Sequence, residues 1–299
     1  MSVLMAATRV LVRGRRLLTR KSVDRLMAEL ADREYPAHAP APKAIRERYD
    51  VVDDEVDGCV VLRLTPRAGT SGEHLVYTHG GLYVHPLVAE HWWFLERMAR
   101  GSGVTITVPL YRLAPEGGPD AAYELLRKVH LGLVASGPVT LAGDSAGGGL
   151  ALGQAVAYRD AGLPAPRQVI LIAPWLDIAL SNPAAELLQP LDPMLEVGTV
   201  RACGRLWARG HHPRDPMVSP GFANLDGLPP VHTFQGGRDV LAADAQLLAD
   251  RLLQAGNTGT FTLVPAGFHV YLGAFWTAEA RAALRAVNEL LRPARVLRE

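Results

Sequence analysis

An α/β architecture is what this sequence of 299 residues predicts: a mostly parallel, eight-stranded sheet covered by helices on both faces, with a helical cap. Three observations carry that expectation. Short apolar runs rich in β-branched residues alternate with longer stretches of helical periodicity. The runs are apolar throughout instead of alternating, as in strands buried on both faces. One long interval then breaks the rhythm and carries no convincing strand.

The first segment is locally basic, with Arg9, Arg13, Arg15, Arg16, Arg20, Lys21 and Arg25. A secretory leader would place its charges first and an unbroken apolar stretch after them, whereas arginines here interrupt every apolar run. Val10, Leu11, Leu17, Leu18, Met27 and Leu30 recur at helical spacing, which predicts an amphipathic helix packed on the main body. Contact with a membrane surface is the competing reading. Strands follow at 49–52, 59–65, 74–79, 104–108, 138–142, 168–172, 231–235 and 260–264. Helical patterns lie at 87–100, 121–135, 147–161, 242–255 and 277–291. The interval 175–230 is rich in proline and has a helix near 197–209. A structureless loop of that length is improbable in a compact domain, so it reads as an inserted cap. The expected organisation is a cap segment at 1–45, a core of 46–174 and 231–299, and the inserted cap at 175–230.

Composition narrows the function. The formal net charge of +1 gives no electrostatic case for nucleic acid. Cys59 and Cys203 are too few for a disulfide framework and suit a reducing cytoplasm. No apolar run approaches membrane-spanning length, so stable insertion is not expected. Pairing through an edge strand or the last helix is compatible with the sequence, which leaves a homo-oligomer open.

Gly143-Asp144-Ser145-Ala146-Gly147 sits where an apolar strand turns into a small-residue helix. A serine at such a turn projects its hydroxyl from the sheet edge, and the flanking glycines avoid collisions with the neighbouring strand and helix. A serine hydroxyl needs a base to take its proton and a third group to orient that base. In a wound sheet these collect at the carboxyl ends of strands. His269 follows the last strand and Asp239 the one before it. Serine, acid, base is the chain order of hydrolases built on this turn. Asp239 competes with Asp244 and Asp177 for the acid position, and as a bland alternative it caps the helix that follows.

Acyl transfer also needs N–H donors aimed at a developing oxyanion. His79-Gly80-Gly81 follows the third strand, and successive glycines let a backbone approach a ligand closely. Gly80 and Gly81, with Ala146 after the serine, are the expected donors. Leu82, Tyr83 and Trp207 are expected to contact substrate, and Arg112 to brace the loops beneath the turn. The adjacent pair His211-His212 lacks carboxylates at ligand spacing and is a weak metal signal.

With these pieces in place the chain resembles the hormone-sensitive-lipase family of α/β-hydrolases, also called α/β-hydrolase fold-3. The resemblance rests on His79-Gly-Gly81, Tyr111-Arg-Leu-Ala-Pro-Glu116, Gly143-Asp-Ser-Ala-Gly147, Pro174-Trp-Leu-Asp177, Asp215-Pro-Met-Val-Ser-Pro220, Asp239 and His269. It implies hydrolysis of small to medium acyl esters through an acyl-enzyme, without metal or cofactor. Lactone or amide hydrolysis by the same groups, and a non-catalytic receptor, are the alternatives. Two departures bear on substrate size. Leu82 replaces the family's third glycine, and Gly267-Phe-His-Val stands where His-Gly-Phe is common.

Overall fold

The computed structural model describes residues 2–19 and 21–293. Arg20, one of the basic residues noted above, lies outside them. The amino-terminal segment forms α1 (Val3–Thr19), α2 (Val23–Asp32) and the single turn α3 (Lys43–Arg46). The sheet begins with β1 (Tyr49–Val56), β2 (Cys59–Pro66) and β3 (His74–Thr78), followed by α4 (Ala89–Ala99) and β4 (Thr105–Pro109). Then come α5 (Pro119–Val134), β5 (Val139–Asp144), α6 (Ala146–Asp160) and β6 (Gln168–Ile172). Between β6 and the next strand lie α7 (Ala184–Leu188), α8 (Val197–Ala208) and a 3-10 turn at Pro220–Phe222. The chain closes with β7 (Val231–Gly236), α9 (Ala242–Gln254), β8 (Phe261–Val264) and α10 (Ala278–Leu290).

The eight strands form one sheet in the order β1-β2-β4-β3-β5-β6-β7-β8. Strand β2 runs antiparallel to both β1 and β4, and all other pairings are parallel. All eight expected strands are present. β1 runs four residues further than its sequence reading, through Asp53, Asp54 and Glu55, because it pairs with β2 along its whole length at the sheet edge. A strand with one solvated face tolerates those carboxylates.

The period-2 alternation of the central strands divides the core into two. Val76, Leu141, Val169 and Leu171 point to one face, under α5, α6 and α9. Leu75, Tyr77, Ala142, Ile170 and Ile172 point to the other, under α4 and α10. Leu26 and Leu30 of α2 join the first core together with Val200, Cys203 and Trp207 of α8.

Helix α1 corrects the sequence reading. One continuous helix was expected, and two are found. Leu26 and Leu30 of α2 are buried, but Val10, Leu11, Leu17 and Leu18 of α1 are exposed, Leu18 by 90%. Met5 and Thr8 take the buried positions instead.

Candidate active site

Strands β3 and β5 are neighbours, but the chain leaves β3 toward α4 on one face and β5 toward α6 on the other. Such a reversal opens a crevice at the carboxyl ends of the two strands. Gly80–Leu82 enters it from β3 and Ser145 from β5.

Ser145 is the only residue between β5 and α6, with φ 54° and ψ −121°. That backbone costs an L-residue about 1–3 kcal/mol and persists only where its surroundings fix it. Here they do. A Cβ at Gly147 would lie 1.9 Å from the Thr78 carbonyl, and one at Gly143 would lie 2.2 Å from the Gly147 carbonyl. The Ser145 N–H donates to Ile172 O at 2.9 Å, and its carbonyl accepts from Trp175 N at 2.9 Å. Strand, helix and crossing loop therefore meet with no room for larger residues.

His269 and Asp239 come from the loops after β8 and β7, which are joined by the Arg238 N–H to Gly267 O bond of 2.9 Å. His269 Nδ1 lies 2.8 Å from Asp239 Oδ2 and His269 Nε2 lies 2.9 Å from Ser145 Oγ. Facing a carboxylate, Nδ1 carries the proton, which leaves Nε2 to accept from the serine hydroxyl. All three side chains are buried. Burial disfavours the charged imidazolium, but the carboxylates of Asp239, Asp192 and Asp144 outweigh it and hold the His269 pKa above its ordinary value. The rival acids are employed elsewhere. Asp177 accepts from the N–H groups of Ala179 and Ser181, at 2.9 and 2.7 Å, and Asp244 accepts from Asn182 at 2.9 Å.

Two residues outside the sequence reading complete this arrangement. Gln235 Nε2 donates to Asp239 Oδ2 at 2.9 Å. Asp192, buried in the segment before α8, accepts from Met194 N and Leu195 N through one oxygen, at 2.7 and 2.9 Å. Its other oxygen accepts from Val240 N at 2.9 Å, tying the β6–β7 connection to the loop of Asp239. Burial and the nearby Asp239 push the Asp192 carboxyl up to about 6. A polar glutamine one residue before the end of the buried β7 was a readable signal; nothing local marks Asp192, whose partner is 48 residues away.

Two expectations about this crevice are corrected. The Gly80 N–H is not offered to it, because it donates to Asp144 Oδ1 at 2.8 Å. The N–H groups of Gly81, Leu82 and Ala146 meet no acceptor among the described residues. Leu82 and Tyr83 have φ of 57° and 62°, the left-handed region that costs an L-residue roughly 1–2 kcal/mol. Tyr83 stacks on Trp207 with ring centroids 4.3 Å apart and planes 5° apart. Both rings are buried in the core and neither lines the cavity, where both were expected. Large aromatics release most free energy when buried against one another, and Tyr83 does so here.

Leu82 does line a cavity of about 570 Å³ that contains Ser145 and His269, walled also by Phe94, Leu195 and Phe268. Thr8, Val12 and Arg15 of α1 complete one wall. A wider depression of about 960 Å³, around Arg48 and Glu96 at the opposite end of the strands, holds none of these groups. Arg112 is exposed and is not the brace expected. Tyr111 Oη donates to His79 O at 2.7 Å, and Arg33 donates to Ala114 O at 2.7 Å and to Val84 O. His211 bridges Asp215 and Asp120 at 2.9 and 3.1 Å on the surface. No cluster suited to a metal occurs among the described residues.

A buried serine–imidazole–carboxylate relay beside unpaired amides can attack a carbonyl and hold the resulting oxyanion. Fold and site thus define a hydrolase of the carboxylesterase and lipase type. Comparison with known proteins agrees. Residues 75–273 match the family model described as alpha/beta hydrolase fold. An acetyl-hydrolase of Streptomyces hygroscopicus is 33% identical over 76% of this chain and 78% of its own length. A triacylglycerol lipase of Mycobacterium tuberculosis is also 33% identical, over 72% of this chain but 46% of its own. A solved esterase of the bacterial hormone-sensitive lipase family superposes with a TM-score of 0.81 at 27% identity, covering 98% of both chains. The chain belongs to the α/β-hydrolase fold-3 family, that of the bacterial hormone-sensitive lipases.

Proposed function

We propose that this chain is a serine carboxylesterase acting on short- to medium-chain acyl esters. The observation that carries the reading is the pair of contacts joining Ser145, His269 and Asp239, at 2.9 and 2.8 Å, inside a largely apolar cavity. Ser145 Oγ attacks the ester carbonyl while His269 Nε2 takes its proton, and Asp239 keeps the imidazole oriented and stabilises its charged form. The N–H groups of Gly81, Leu82 and Ala146 receive the oxyanion. His269 then protonates the departing alcohol, leaving the acyl group on Ser145. Water, deprotonated by the same imidazole, attacks that acyl-enzyme and returns the serine as the acid leaves.

Residues 1–45 and 175–230 form the cap over a core of 46–174 and 231–299. This division is supported by α2 and α8 packing together, and by α1 and the segment at Met194 walling the cavity. Short acyl chains are favoured because the Leu82 side chain occupies space a third glycine would leave open. The acetyl-hydrolase among the relatives supports the same preference. Hydrolysis of p-nitrophenyl esters from acetate to dodecanoate, by wild type and by Ser145→Ala, tests the reading. Serine-dependent turnover that peaks at short chains is expected. Turnover retained in Ser145→Ala would remove the serine from the mechanism.

A further inference from the structure

Helix α1 is docked on the protein through a mixed face, in which Met5 and Val12 pack on the core beside a set of polar bonds. Ser2, just before it, bonds Glu279 through both its N–H and its hydroxyl, at 2.7 and 2.6 Å. Thr8 accepts from the Trp276 indole at 2.8 Å. Arg13 donates to Pro190 O and Arg16 to Asp192 O. The outward side is apolar. Val3, Val10 and Leu17, and Leu4, Leu11 and Leu18, recur every seven residues and are 52–90% exposed. Ala7 and Gly14 fill the line between them. A surface helix ordinarily turns its widest apolar stripe toward the core, and here the widest one faces outward.

Charge decides what the stripe fits. At about 100° per residue, the exposed Arg13 and Arg15 fall on opposite borders of the stripe. No acidic residue occurs within α1, whereas Lys21 and Arg25, which follow it, both pair with Glu29 of α2. An apolar band bordered by one arginine on each side, on a helix with no acidic residue, matches an anionic bilayer surface, where acyl chains take the band and headgroups face the positive charge. Two copies meeting through this stripe would instead set arginine against arginine. We infer that α1 docks this protein on anionic lipid surfaces, with Leu11 and Leu18 buried among the acyl chains. The same helix walls the cavity that holds Ser145, beside the half-exposed Met194 and Trp276. Docking therefore brings that cavity next to the lipid.

The test is flotation with phosphatidylcholine vesicles, with and without phosphatidylglycerol, using the full chain and Leu11→Glu/Leu18→Glu. Both leucines point to solvent and neither lines the cavity, so the variant keeps the fold, checked by circular dichroism. Wild type is expected to float with phosphatidylglycerol vesicles and to be released by salt, with the bound fraction falling about tenfold or more in the variant. Wild type that stays in solution with both vesicle types overturns the inference. So does a wild-type dimer in light scattering that the variant turns into a monomer while neither binds vesicles. Turnover of p-nitrophenyl acetate in solution is read separately and should be equal in both proteins. Its absence in wild type would count against the esterase reading alone, because flotation does not depend on it.

Discussion

The turn at Ser145 and helix α1 both grow from short sequence patterns, and they differ in what holds them. At the turn, β3, β5, α6 and the loop after β6 press on one residue, and a Cβ at either flanking glycine would overlap a carbonyl. In α1, Met5 and side-chain bonds to Glu279, Trp276, Pro190 and Asp192 hold a helix whose large apolar residues are mostly exposed. The difference teaches that a steric pattern fixes a position absolutely. A periodic pattern fixes only that two unlike faces exist, and long-range contacts choose which one turns inward.

Substitutions at the turn should therefore be severe and those on the α1 stripe nearly silent. Ser145→Ala is expected to lower kcat by about 10⁶-fold without unfolding the protein, read by ester hydrolysis beside circular dichroism. Asp239→Asn should cost about 10⁴-fold and also move the pH profile. The base works only when neutral, so kcat/KM rises with pH through the His269 pKa. In wild type that limb should lie above the ordinary 6.5, and in Asp239→Asn it should move down because burial then prevails. An unmoved limb would mean that Asp239 does not act on the imidazole. Gly147→Ala should destabilise the fold by about 3 kcal/mol in urea unfolding, since the added methyl meets only the backbone of Thr78 and His79.

Asp192→Asn sits between the two regions and should have an intermediate effect. An amide can turn its oxygen to Val240 or to Met194 and Leu195, but not to both, which leaves an N–H unpaired at about 1–3 kcal/mol. Removing the charge should also lower the acid limb slightly, because Asp192 helps to hold the His269 pKa up. The smallest effect is expected for Leu11→Glu/Leu18→Glu, with unfolding free energy within about 0.5 kcal/mol of wild type per site. A large loss there would erase the contrast, because it would mean that the stripe is packed in solution.

Much of this molecule was legible before its structure. Apolar runs marked all eight strands, and strand-end position singled out Ser145, Asp239 and His269 from the other serines, carboxylates and histidines. What stayed hidden was direction. Left-handed backbone at Leu82 and Tyr83 sends one side chain into the cavity and the other into the core, so neighbours with the same expected role part company. Gly80 was misread because the partner of its N–H, Asp144, is 64 residues away. Trp207 lies on α8, inside the interval expected as the inserted cap, but stacking on Tyr83 decides its surroundings. Each miss is a contact between distant segments, which periodicity cannot report.

The carboxylate of Asp144 takes the hydroxyl of Tyr77 and the N–H of Gly80 while its own backbone leads into Ser145. The loop carrying Gly81 and the turn carrying the serine are thereby keyed together. Anyone recombining this chain with a relative should treat the end of β3 and the end of β5 as one cassette. A crossover that takes one without the other would inherit a key cut for a different lock.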